Sequence, residues 1–142
     1  ARQAGIYVAA NFIIGFPTET WSEIRETIRF AEEINVDYVK LFVLIPFKGT
    51  KIWDLCVEHE AFKKGFDAQS CRWSTGQLES GEYTANDLTI LRAYEWDRIN
   101  FSPERINRVA ELWGLSVEEL NKIRQKTREA LQEGLHARSV AR

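Results

Sequence analysis

The 142-residue chain contains no methionine, two cysteines, three prolines and only a slight excess of acidic over basic residues. Cys56 and Cys71 are too few for a disulfide scaffold, so reduced thiols and a cytoplasmic setting are expected. A net charge of -2 provides no basic surface for nucleic acid or for an anionic membrane. No apolar run approaches the ~20 residues that a membrane helix needs. The run at 6–17 follows Arg2 but is interrupted by Asn11. It ends in Gly-Phe-Pro without a small-residue cleavage site, which excludes a secretory signal. What is present is an ordinary globular composition, 44% hydrophobic and 28% charged, long enough for one domain with a core. The first four residues read as the tail of a helix, and the missing methionine fits a piece of a longer protein.

The apolar residues are organised by period. Residues 6–14 (IYVAANFII) are apolar on both parities, which predicts a strand buried on both faces. Thr20-Trp21-Ser22-Glu23 is a capping box. Ile24, Ile28, Ala31 and Ile34 then recur at helical spacing, and Asn35 is a helix stop. Residues 36–45 (VDYVKLFVLI) predict a second strand, so the segment is a βαβ unit. A helix is expected over 51–64. Residues 65–83 have no period and are long for a loop; they are expected to line a site, to cover a barrel mouth or to hold a hairpin around Trp73.

The chain is helical from Thr84 onward. One helix is expected to Phe101, burying Leu88, Leu91, Tyr94 and Ile99. A second is expected to start at Ser102 with Pro103 at its first position and to stop at Gly114. A third starts at the capping box Ser116-Val117-Glu118-Glu119, with Leu115 stapled on Leu120, and ends at Gly134 before a frayed tail at 136–142. Two regions follow, α/β over 1–66 and a loop with mainly helical structure over 67–142.

Several groups of residues could carry chemistry. The apolar run ends at Gly15-Phe16-Pro17-Thr18-Glu19-Thr20. Gly15 could let a ligand approach the backbone, and free amides there would favour an anionic group. A plain strand-to-helix turn has the same sequence. Cys56 and His59 share a helical face and, with Cys71, would supply three metal ligands, but a fourth is missing, and a buried thiol beside a surface imidazole is the simpler reading. Asp37 and Lys40 begin the second strand, the end of a parallel sheet that serves stability rather than catalysis. The aromatic residues lack the basic groove that nucleic-acid stacking needs. Residues 105–123 have the outline of a helix-turn-helix, but Glu118 and Glu119 at the second helix start would face phosphates, which favours a simple helical hairpin.

The two strand ends are related. NFIIGFPTETWSEIRETIRFAEEINVDYVKLFVLIPFKGT resembles the fifth- and sixth-strand region of radical S-adenosylmethionine (radical SAM) enzymes. It is most similar to the Fe–S oxidoreductase branch that often carries an N-terminal cobalamin-binding domain. That branch reads G-F-P-G-E-T, then T-I-x-F-A-x-E-L-x-x-D, then P-x-P-G-T. Thr27, Ile28, Phe30, Ala31, Glu33, Ile34 and Asp37 follow the connector. Thr18 stands where the second glycine of the first motif would be, and Lys48 where the second proline of the last would be. The resemblance covers about residues 5 to 55.

The resemblance implies a partial (β/α)6 TIM-like barrel whose last units are residues 1–66, followed by a helical extension. It also implies a [4Fe–4S] cluster whose open iron holds S-adenosylmethionine and cleaves it to a 5′-deoxyadenosyl radical. In the strand motif G-x-I-x-G-x-x-E, which packs on the adenosine, Ile13 and Gly15 match, Asn11 takes the first glycine's place and Glu19 falls one residue late. Ile45, Pro46 and Gly49 correspond to the sixth-strand end near the adenine. The cluster motif Cys-x3-Cys-x2-Cys is absent, and two cysteines cannot hold a [4Fe–4S] cluster. The chain is therefore expected to be catalytically incomplete, to bind no cofactor tightly by itself, and to need an upstream barrel region. Cobalamin would serve the parent protein only if such a domain precedes it. Exposed strand edges would invite strand exchange in a homo-oligomer. A non-catalytic module working through its helical tail is the alternative.

Overall fold

The computed structural model describes residues 2–140, and their side chains except at residue 2, residue 130 and residues 133–140. Residue 1, and residues 141 and 142 of the expected tail, lie outside the described residues. The fold is α/β. A 3-10 turn (Arg2–Ala4) precedes strand β1 (Ala9–Ile14), helix α1 (Trp21–Glu33), strand β2 (Tyr38–Val43) and helices α2 (Lys51–Glu58), α3 (Ala85–Asn100), α4 (Ile106–Trp113) and α5 (Val117–Val140). The two strands pair in parallel, Ala9 opposite Tyr38 through Ile14 opposite Val43.

Local chemistry explains most element ends. The Thr20 hydroxyl accepts from the Glu23 amide, and the Glu23 carboxylate accepts from the Thr20 amide, so the expected capping box opens α1. Asn35 takes the left-handed conformation after α1, and Gly114 does so after α4. Ser116 and Glu119 form the second expected box at the start of α5. A third, Thr84 with Asp87, opens α3.

Other boundaries differ from expectation. Helix α2 stops at Glu58 rather than near 64, because Glu60 turns left-handed and the Ala61 amide bonds back to the Cys56 carbonyl. Helix α4 starts at Ile106, not after Ser102: the Arg105 and Ile106 amides both donate to the Ser102 carbonyl in a separate turn. Helix α5 runs through Gly134 to Val140, since one glycine inside a helix costs only about 1 kcal/mol. Instead of a hairpin around Trp73, the long loop makes a single antiparallel bridge between Phe62 and Leu78.

The sheet has unlike faces. Ala10, Phe12, Ile14, Val39, Leu41 and Val43 share the face that packs with Ile24, Ile28 and Ala31 of α1 and with Leu88, Ile99, Val109 and Leu120 of the later helices. On the opposite face Ala9, Asn11, Ile13 and Lys40 are exposed. Strand β1 is therefore not buried on both faces as its apolar run suggested. Periodicity records what can be buried, and only one face of β1 is covered among the described residues.

The sheet edges also differ. The outer edge of β2 is closed within the chain. Asn100 of α3 accepts from the Val39 amide and donates to the Val39 carbonyl, both at 2.8 Å. Arg92 donates to the Leu41 carbonyl at 2.9 Å, and the Val43 amide donates to the Trp73 carbonyl. The outer edge of β1, where alternate backbone groups of Ala9, Asn11 and Ile13 point, meets no further strand among the described residues.

Helix α5 is held to α3 by Asp97, which accepts from both Arg124 and Arg128. Burial pushes the Asp97 carboxyl up, but the two guanidinium groups outweigh it and hold it below the usual aspartate range. A carboxyl whose native pKa is depressed contributes stability that is present above its unfolded value and is lost as pH falls toward the native one. Wild-type protein is therefore expected to lose this contribution progressively below about pH 4, and Asp97→Asn to lack that part of the pH dependence. Urea melts of both forms from neutral to acidic pH check this; parallel pH profiles would contradict it.

Candidate functional site

The first turn is built around its own carboxylate. Gly15 leaves β1 with φ of 86°, and its amide donates to Glu19 Oε2 at 2.7 Å; the Phe16 amide donates to the same oxygen at 3.1 Å. These amides are therefore not free for an anionic ligand. Glu19 stands in the sequence where it can fold back on the loop, and it does so.

The 65–84 loop clamps the turn from outside. Tyr83 donates its hydroxyl to the Phe16 carbonyl at 2.5 Å, and Glu82 accepts from the Trp21 amide at 3.2 Å. Burial pushes the Tyr83 hydroxyl up to about 12, with the nearby Glu19 charge adding to it. A Cβ on Gly15 would lie 2.6 Å from Leu88 Cδ1. Both the positive φ and the Leu88 contact explain glycine here.

The second turn lies beside the first because the Leu44 amide donates to the Ile14 carbonyl at 3.0 Å. Ile45 is half-buried and Pro46 buried. The Phe47 carbonyl accepts from the Thr50 amide and hydroxyl, and that hydroxyl caps α2 by accepting from the Trp53 amide. Gly49 has φ of 83° with open space around it.

The structure thus brings the two turns together at the C-terminal edge of the strand pair. Asn11 and Ile13 lie on the exposed sheet face leading to that edge, while Gly15, Glu19, Ile45, Pro46 and Gly49 form the edge itself. Lys40 was placed with Asp37 at the stable end of β2. Asp37 belongs there: buried, it accepts from the Val8 amide at 2.8 Å and pairs with Arg108 at 3.3 Å. Lys40 instead lies mid-strand on the open face, opposite Asn11. Strand alternation from Asn11 and Ile13 through the βαβ register would have found it. Leu88 was expected to be buried by its helix, but its place against Gly15 had no signal, and Tyr83 had none at all, because a loop of no period delivers it and sets where α3 begins.

No group of three metal-ligating side chains comes together among the described residues. Cys56 is buried in a small cluster with Leu44, Ala61 and Leu78, while His59 is exposed. At the start of α5, Glu118 pairs with Lys122 at 2.8 Å and the Glu119 carboxylate caps Ser116. No helix among the described residues is long and apolar enough to cross a membrane.

The chain is locally similar to methylthiotransferases. It is 43% identical over 44 residues to a ribosomal protein uS12 methylthiotransferase of Leptospira biflexa, covering 31% of this chain and 10% of that protein. It is 38% identical over 55 residues to a tRNA-2-methylthio-N(6)-dimethylallyladenosine synthase of Aeromonas hydrophila, covering 39% and 12%. It is also 37% identical over 57 residues to an uncharacterized methyltransferase of Pyrococcus horikoshii, covering 40% and 12%. The chain thus matches under a fifth of the length of each of these relatives. No protein-family model matches it, and no solved structure does.

Proposed function

We propose that the chain is the C-terminal part of a radical SAM enzyme and supplies the adenosine-side wall of its S-adenosylmethionine site. The observation that carries this reading is the local similarity to two kinds of methylthiotransferase, which are radical SAM enzymes. The geometry supports it in two ways. The resembling turns are adjacent at the C-terminal edge of parallel strands, where α/β enzymes bind ligands. The sheet is closed on the β2 side by α3, whereas a further strand could join β1 and continue it toward a partial barrel.

In this reading Asn11 and Ile13 face the cofactor from the inner side of the sheet, and Gly15, Ile45, Pro46 and Gly49 shape the rim. Glu19 acts by holding the Gly15 and Phe16 amides, so it positions the rim rather than touching an anionic group. The upstream region of the parent protein would bring the [4Fe–4S] cluster, which supplies reductive cleavage of the cofactor when bound. The reaction catalysed, and any use of cobalamin, belong to the parent protein. Full-length protein reconstituted anaerobically with iron and sulfide is expected to produce 5′-deoxyadenosine from S-adenosylmethionine under reducing conditions. A full-length sequence without Cys-x3-Cys-x2-Cys, or a reconstituted protein that yields no deoxyadenosine, would refute the reading.

A further inference from the structure

Arg92 is a buried cation with no carboxylate against it among the described residues. It is 7% exposed. Its Nε donates to the Leu41 carbonyl, and its guanidinium lies 4.5 Å from the Trp73 ring centre and 5.6 Å from that of Trp96. Other guanidinium groups of the helical region do meet carboxylates: Arg98 meets Glu32 and Glu95, and Arg124 and Arg128 share Asp97. Burial lowers the Arg92 pKa, but a guanidinium keeps its proton at any ordinary pH, so the charge stays in a poorly solvated place. One bond to a carbonyl leaves four N–H donors on its terminal nitrogens. Those nitrogens are not among the buried atoms that lack a partner.

The rings bracketing Arg92 locate it beside the sheet face that carries Lys40, which is covered at Tyr38 and partly covered at Phe42. Trp73 stacks edge-on against Phe42 at 5.4 Å, and Trp96 Nε1 donates to the Tyr38 hydroxyl at 3.0 Å. Tyr38, Lys40 and Phe42 alternate along one face of β2, so the two rings rest on the residues flanking Lys40. Lys40 is exposed and has no ion-pair partner among the described residues, and Asn11, an exposed amide, lies opposite it in register.

We propose that Arg92 and Lys40 form an oxyanion subsite on this face, taking a carboxylate or phosphate group of a small ligand. A fork of fixed donors together with an ammonium suits either group, and the exposed Trp73 ring, packed on half-buried Phe42, offers an apolar surface for whatever carries the anion. The subsite requires neither a cluster nor S-adenosylmethionine, so it stands or falls independently of the radical-enzyme reading.

The test titrates the 142-residue chain with inorganic phosphate and, separately, with acetate. Chloride keeps the ionic strength constant while the Trp73 and Trp96 indole N–H signals are followed by NMR. A saturable shift with at least one probe is expected at millimolar concentration. Phosphate alone assigns a phosphate ligand, and acetate alone a carboxylate. Lys40→Gln, an exposed mid-strand change that leaves the core untouched, is expected to weaken half-saturation about tenfold, the loss of one charge-assisted contact. Arg92→Lys, which keeps charge but not the fork, is expected to weaken it several-fold. No saturable shift with either anion, or equal half-saturation in wild type and Lys40→Gln, overturns the proposal even if Arg92→Lys fails to fold.

Discussion

Gly15→Ala is expected to destabilise the chain by about 2–4 kcal/mol. Two separate costs combine. The backbone sits at φ of 86°, which an L-residue adopts only with strain, and the new methyl would stand 2.6 Å from Leu88 Cδ1. Leu88 is fully buried among Ile14, Ile24 and Val43, so it has little room to retreat. Only the second cost depends on Leu88. Leu88→Val removes the clashing methyl, so the double variant is expected to be more stable than the sum of the two single effects predicts. Urea denaturation of the four proteins checks this. Simple additivity would show that the backbone conformation alone demands glycine. The result bears on the candidate site because the same turn carries the Glu19 bonds and the Tyr83 clamp.

Asn100→Leu is expected to cost about 3 kcal/mol and to lower Tm by about 10 °C. Leucine has nearly the same volume, so packing is roughly conserved. What is lost is pairing: Asn100 is fully buried and satisfies the amide and carbonyl of Val39 and the carbonyl of Trp96. Among the described residues no strand lies on that edge of β2 to replace it. Hydrogen exchange at the Val39 amide is expected to accelerate far more than at amides in the middle of α1. A uniform acceleration would mean global destabilisation without a specific role at the edge. If the proposed barrel reading holds, this residue is also what ends the sheet after β2.

The βαβ unit was legible because each step is local. The Thr20–Glu23 box, the Ile24, Ile28 and Ala31 stripe and the left-handed Asn35 depend on residues within a few positions of one another. The helix starts at Thr84 and Ser116 were legible for the same reason. Apart from the ends of α2 and α4, shifted by local turns at Glu60 and Ser102, the failures are those where a distant partner decides. Residues 6–14 are apolar on both parities apart from Asn11, yet Ile13 is 47% exposed because no described element covers that face. Tyr94 matched a burial pattern but points away from the core, 66% exposed, because α3 lies along an edge and turns Arg92, Trp96 and Asn100 toward β2 instead.

The candidate site divides along the same line. Asn11, Ile13, Gly15, Glu19, Ile45, Pro46 and Gly49 were named from two short motifs at a set spacing, and a parallel strand pair necessarily brings such motifs to one edge. Sequence by itself thus determined the βαβ unit, its capped helix and the pairing of two turns, since backbone hydrogen bonds and strand parity act over short separations. Only the tertiary structure decided that Glu19 fills the loop amides, that Leu88 and Tyr83 buttress the turn, that α3 closes the β2 edge and that Lys40 shares a face with Asn11. The Glu19 bonds are local, three and four residues back, but a free carboxylate's choice of loop amides is not written in its spacing; each of the other outcomes depends on which side chain, tens of residues away, arrives to bury a surface or satisfy a backbone group.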